Sequence, residues 1–176
     1  MKQNSKITLC SMMAALATAF MLLSYFPYLT YAIPAIAGLF IMVAVIEIDC
    51  KWALGAYISS AFLTFLLAEP ESKLIYICFF GYYPIIKAVL EKIRKPILEW
   101  VIKIFIFNGA VLLVYFMFAG LFGVSVDEFV EWGKYGAIGL LALGNVVFVL
   151  YDIAVSRIAM VYIGVLHPKI RKIFKA

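Results

Sequence analysis

Polar residues interrupt this chain so rarely that their positions outline its architecture. Between Ile7 and Ile46 no residue is charged, which leaves room for two helical membrane spans of about 20 residues each. Pro27 and Pro34, in the stretch PYLTYAIPA, mark a turn between them, because proline removes a backbone donor and clashes with the preceding helical turn. A third apolar run covers Trp52 to Ala68. Leu74 to Leu90 follows, broken only by Lys87, and then come Ile97 to Phe122 and Tyr135 to Ile163. The pattern predicts an all-α membrane protein of six helices within one membrane domain, 1–176. Its approximate spans are 7–26, 33–48, 52–68, 73–91, 97–122 and 134–163. The third is short and the sixth long, so unequal tilts are expected.

Composition agrees with this reading. The chain is 66% hydrophobic and 14% charged, whereas a soluble domain is nearer half apolar and about a quarter charged. No polar stretch is long enough for a soluble domain. The opening MKQNSK and the triplet Ala17-Thr18-Ala19 imitate a signal peptide and its cleavage site. The apolar run continues to Phe26 with no polar cleavage region, so the segment is read as a retained first span.

The net charge of +5 is a topology signal rather than a nucleic-acid footprint. With the N-terminus inside, 13 of the 15 Lys and Arg residues fall on the cytoplasmic side, leaving only Lys73 and Lys134 outside. The outer loops carry Glu69, Glu71, Asp127, Glu128 and Glu131 instead. A six-helix arrangement with both termini inside satisfies the positive-inside rule at every loop.

The chain is poor in enzyme chemistry. Its single histidine, His167, sits in an HPK turn after the last span and reads as a surface turn residue. No Ser/His or Cys/His pairing, HExxH or phosphate loop is present. Cys10, Cys50 and Cys78 lack metal-ligand spacing and read as small hydrophobes. No catalytic role, cofactor or metal is therefore expected.

Polar residues at membrane depth are costly, which makes each a functional candidate. Lys87 lies four residues before Glu91, and Glu99 four before Lys103; both read as helix pairs with snorkelling lysines. Asp152 is deeper, with Arg157, Lys87 and Lys103 as alternative partners in a structural ion pair, and a proton relay as the second reading. Asn108 and Asn145 lie mid-span, where an asparagine either bonds another helix or lines a cavity. Aromatic residues gather toward the outer ends, among them Tyr31, Tyr76, Tyr82 and Trp132. They suit an interfacial belt or, with the acidic outer loops, a pocket for a flat or cationic small molecule.

The first span carries an unusual number of small residues, in the stretch SMMAALATAF. At about 100° per residue, Thr8, Ser11, Ala14, Ala15, Thr18 and Ala19 share one face about 140° wide. Met13, Leu16, Phe20 and Leu23 lie opposite. Lipid tails are as apolar as leucine, so small faces that let backbones approach are what draw membrane helices together. This face is built to meet another helix, of this chain or of a partner.

The same span reads K-x-T-L-x-x-M-x-A-A-L-A-x-A, carried by Lys6, Thr8, Leu9, Met12, Ala14, Ala15, Leu16, Ala17 and Ala19. With six predicted spans and a short basic N-terminus, it resembles the substrate-binding S components of energy-coupling factor (ECF) vitamin transporters of the bacterial plasma membrane. The resemblance implies that Ser11, Ala14, Ala15, Thr18 and Ala19 form a docking surface with an AxxxA centre. The implied partners are a transmembrane T component and two cytoplasmic ATPases. It also implies an outer ligand pocket, for which Tyr31, Tyr76, Tyr82, Trp132 and Asn145 are the candidates by depth and type. No riboflavin, thiamin, biotin or folate signature stands in the chain, so the ligand stays open. A scaffold resembling the rod-shape-determining membrane protein D family is the alternative, followed by a membrane-embedded enzyme.

Overall fold

The computed structural model describes residues 3–26, 28–93, 95–122 and 133–169. Among them the chain is helical apart from short turns, with no strand. The helices are α1 (Gln3–Met21), α2 (Ala32–Glu47), α3 (Cys50–Leu67), α4 (Pro70–Ile75), α5 (Tyr83–Leu90), α6 (Pro96–Phe122) and α7 (Gly133–Val165). A wide π-helical turn, Tyr76–Phe80, runs between α4 and α5.

Local chemistry sets the boundaries. α1 tightens into a 3-10 turn over Leu22–Tyr25, and Phe26 then turns extended. Tyr28 adopts a φ of 72°, a left-handed conformation rare for a side chain of its size. Asp49 caps α3 by accepting from the Lys51 and Trp52 N–H groups at 2.9 and 3.0 Å, which satisfies two of the unpaired donors of its first turn. Pro70 opens α4, a position where its missing N–H costs nothing. Pro84 lies in the first turn of α5 and cannot donate to the Phe80 carbonyl, so the helix cannot run evenly through this point.

Five helical stretches are long and apolar enough to cross a membrane: Gln3–Tyr25, Cys50–Leu67, Pro70–Ile93, Pro96–Met117 and Leu141–Lys169. The second expected span is a shorter apolar helix of 16 residues. At 1.5 Å per residue it reaches about 24 Å, short of a hydrocarbon layer of about 30 Å. The turn through Tyr28 takes residues from its start. Ile48 alone then separates it from the cap of α3.

The chain divides into two compact units, one comprising 1–93 and 155–176 and the other 94–154. In the first, α1 packs on α2 and α3, and α2 on α5 and the wide turn. Small residues hold this core: Ala14 and Ala17 of α1, Ala37 and Ala44 of α2, Ala53 and Ala56 of α3, and Ala68. The buried seam of α3 is Ala53, Ala56, Ser60 and Thr64, while Leu54, Ile58, Phe62, Phe65 and Leu66 face outward. Small inside and large apolar outside is the arrangement compatible with a protein whose solvent is lipid.

The second unit pairs α6 with the first two-thirds of α7 through three rungs. Lys103 meets Asp152, Phe107 stacks on Phe148 at 4.7 Å with planes 9° apart, and Asn108 bonds Asn145. Positions rising along α6 meet positions falling along α7, so the two helices are antiparallel.

Candidate functional site

Three arrangements bring together side chains that the sequence singles out. The first is a groove of about 380 Å³ between α1 and α3. Ala14 and Ala56 lie at its buried base, with Ser11 and Ala15 on one wall and Gly55 and Ser59 on the other. A Cβ at Gly55 would meet no atom within 4 Å. The Ser59 hydroxyl donates to the Gly55 carbonyl of its own helix at 3.0 Å, and that of Thr8 to the Asn4 carbonyl at 2.9 Å. Hydroxyls closed on their own helix in this way present little polarity outward.

The structure divides the small face of α1. Ala14 and Thr18 turn inward with Leu9, Met13, Ala17 and Met21, whereas Ser11, Ala15 and Ala19 are exposed. The reason is that α1 contacts both α2 and α3. Two neighbours need roughly half of a helix circumference, and they take Ala14 and Thr18 with it. What remains open is Thr8 and the stripe Ser11, Ala15, Ala19.

The second arrangement is aromatic. Tyr57 of α3 lies 6.3 Å from the Tyr76 ring and 6.1 Å from the Tyr82 ring, centroid to centroid. Its hydroxyl donates to the Ile77 carbonyl at 2.7 Å. Tyr76 is fully buried, with its hydroxyl 2.8 Å from Ser60 Oγ. Of the pocket candidates, Tyr76 and Tyr82 therefore share one cluster. Tyr31 is exposed in the turn before α2, its hydroxyl 3.5 Å from Glu71. Partial burial, and then the neighbouring Glu71 carboxylate, push its phenol above the ordinary range. Ser72 bonds the Thr30 carbonyl at 2.9 Å and so ties the same turn to α4. Trp132 lies outside the described residues.

The third arrangement is the polar ladder of the second unit. Lys103, 1% exposed, places its Nζ 2.6 Å from Glu99 and 3.1 Å from Asp152, which is 4% exposed. Its ammonium also lies 5.4 Å from the Trp100 ring centroid, within cation–π range. Of the three alternative partners, Lys103 is thus placed on Asp152. Arg157 is exposed, and Lys87, buried, bonds Glu91 at 2.9 Å. Asn108 and Asn145 form a reciprocal amide pair, each Nδ2 donating to the other's Oδ1 at 3.1 Å and to the carbonyl four residues back at 2.8 Å. A pocket candidate, Asn145, is thus committed to a neighbouring helix. Replacing either asparagine by alanine is expected to cost about 1 kcal/mol in detergent unfolding. The double variant should cost less than the two singles combined; strict additivity would mean that the pair is not coupled.

Sequence reading missed Tyr57 at the centre of the aromatic cluster, and it missed the carboxylate Glu47. Glu47, at the end of α2, is buried and accepts the Tyr162 hydroxyl at 2.8 Å on Oε1. The same oxygen lies 3.0 Å from His167 Nδ1. His167 is therefore half-buried beside a carboxylate rather than loose in a turn. More than a hundred residues separate the partners, and no local spacing announces them. No group of three His, Cys, Asp or Glu residues is placed to hold a metal ion among the described residues.

Comparison with known proteins gives no match: no family model, no curated protein and no solved structure corresponds to the chain.

Proposed function

We propose that the chain is the substrate-binding membrane subunit of an ATP-driven importer of the energy-coupling factor type. Six spans with both termini in the cytoplasm belong to this reading, as does residence in the bacterial plasma membrane. The observation that carries it is the open stripe of small residues on α1. Ser11 and Ala15 stand beside Gly55 and Ser59 of α3, and Ala19 continues the stripe one turn on, exposed. In lipid, such a surface gains from a closely approaching helix and little from acyl chains. A transmembrane partner driven by two ATPases is the occupant that the resemblance of the first span implies.

In this reading a vitamin-like small molecule binds in the outer half of the bundle, near the turn through Tyr31 and the aromatic cluster around Tyr82. The loaded protein docks through the α1 stripe, and the partners hydrolyse ATP to release the ligand inside. This chain binds and presents; it makes and breaks no covalent bond. Native mass spectrometry of the full chain, purified gently from its own membranes, is expected to find a retained small molecule together with copurified ATPase subunits. An intact, folded chain carrying neither would overturn the reading.

A further inference from the structure

Between Pro70 and Leu90 the helix contains one turn wider than its neighbours, Tyr76–Phe80. There the Gly81 N–H donates to the Tyr76 carbonyl, five residues back, at 2.8 Å. In a regular α-helix that N–H takes the carbonyl four residues back, which is that of Ile77. The Ile77 carbonyl is bound instead by a hydroxyl from another helix, Tyr57 of α3, at 2.7 Å. A wide turn leaves a carbonyl without its α-helical donor, and Tyr57 supplies the replacement.

Gly81 completes the fit. A Cβ at this position would come within 2.6 Å of the Tyr57 ring and 3.0 Å of the Tyr76 carbonyl oxygen. Only glycine lets the ring lie over the turn while its hydroxyl reaches Ile77. Ser60 holds the Tyr76 hydroxyl at 2.8 Å from the same face of α3.

We propose that the Tyr57 hydroxyl is a lock on a two-state element. While it holds the Ile77 carbonyl the segment keeps its wide turn. When it lets go, Gly81 takes that carbonyl and the wide turn closes to α-helical spacing, up to the break that Pro84 keeps at the Phe80 carbonyl. One residue of register turns the part before the junction relative to the part after it by about 100°. Tyr76 lies before the junction and Tyr82 after it, so closing the turn reorients one aromatic ring against the other. Wide turns of this kind recur at functional sites. The device does not depend on what the protein carries, or on transport at all.

The test uses the full chain in lipid nanodiscs, with isotope labels that report which carbonyl the amide at position 81 bonds. In the wild type the correlation runs to Tyr76. Tyr57→Phe removes the hydroxyl and nothing else, and it is expected to move the correlation to Ile77. Gly81→Ala acts from the other side, since its methyl group displaces the ring, and the same move is expected. If either variant keeps the correlation to Tyr76, Tyr57 is not the lock.

Discussion

Lys103→Ala is expected to lower the stability of the protein by about 3–5 kcal/mol, the range found when one partner of a buried ion pair is removed. The Lys103 ammonium sits between Glu99 at 2.6 Å and Asp152 at 3.1 Å, and both Lys103 and Asp152 are almost completely enclosed. Removing the cation leaves the enclosed Asp152 carboxylate without this counter-charge. Folded proteins are stable by only about 5–15 kcal/mol, so this is a large fraction of the total. Two companion variants separate charge from packing. Asp152→Asn leaves Lys103 its bond to Glu99 and is expected to cost clearly less. Lys103→Met combined with Asp152→Leu removes both charges at similar volume and should recover most of the loss, because desolvating the pair opposes its attraction. Thermal unfolding in detergent reads all three. A Lys103→Ala protein that melts with the wild type would mean that the ladder does not hold α6 to α7.

What could be read from the chain, and what could not, follows from where each contact is encoded. Apolar run lengths and prolines mark where helices start and stop. Pairs such as Lys87 with Glu91 and Glu99 with Lys103 follow from helical spacing. Contacts between helices depend on how each helix is rotated about its axis. In a soluble protein an apolar stripe fixes that rotation. These helices are apolar on all sides, because lipid and protein interior make similar demands. Asp152 therefore had three cationic candidates on the sequence, and only the fold selects Lys103 among them. Glu47 with His167 was hidden for the same reason, 120 residues apart. The wide turn at Tyr76 was hidden because its donor, Tyr57, comes from another helix. The shortness of α2 lies in the turn through Tyr28 and in the cap at Asp49, which hydropathy does not report.

The division of the α1 small residues gives the sharpest functional contrast. On the proposed function, Ala15→Leu with Ala19→Leu is expected to leave a folded protein with near wild-type melting that no longer copurifies with the proposed ATPase partners or supports uptake. Both positions are exposed, and Ala15 borders the groove beside Gly55 and Ser59. Leucine there projects into open space within the protein and obstructs only a helix arriving from outside. Ala17→Leu, two residues from each, is expected to do the reverse. Ala17 is fully enclosed, in the same core cluster as Ala37, Ala44, Ala53 and Ala56. Three extra carbons there force α1 off its neighbours, at a cost of about 1–3 kcal/mol or more. Gly55→Leu approaches the same groove from α3, where its Cβ meets nothing, and should match the Ala15 and Ala19 variant. The contrast depends on side-chain direction, since all four positions are small and lie on apolar helices. Uptake that survives leucine at positions 15, 19 and 55 together would assign the groove to lipid. The small residues of α1 would then serve only the inward packing that Ala14, Ala17 and Thr18 already make.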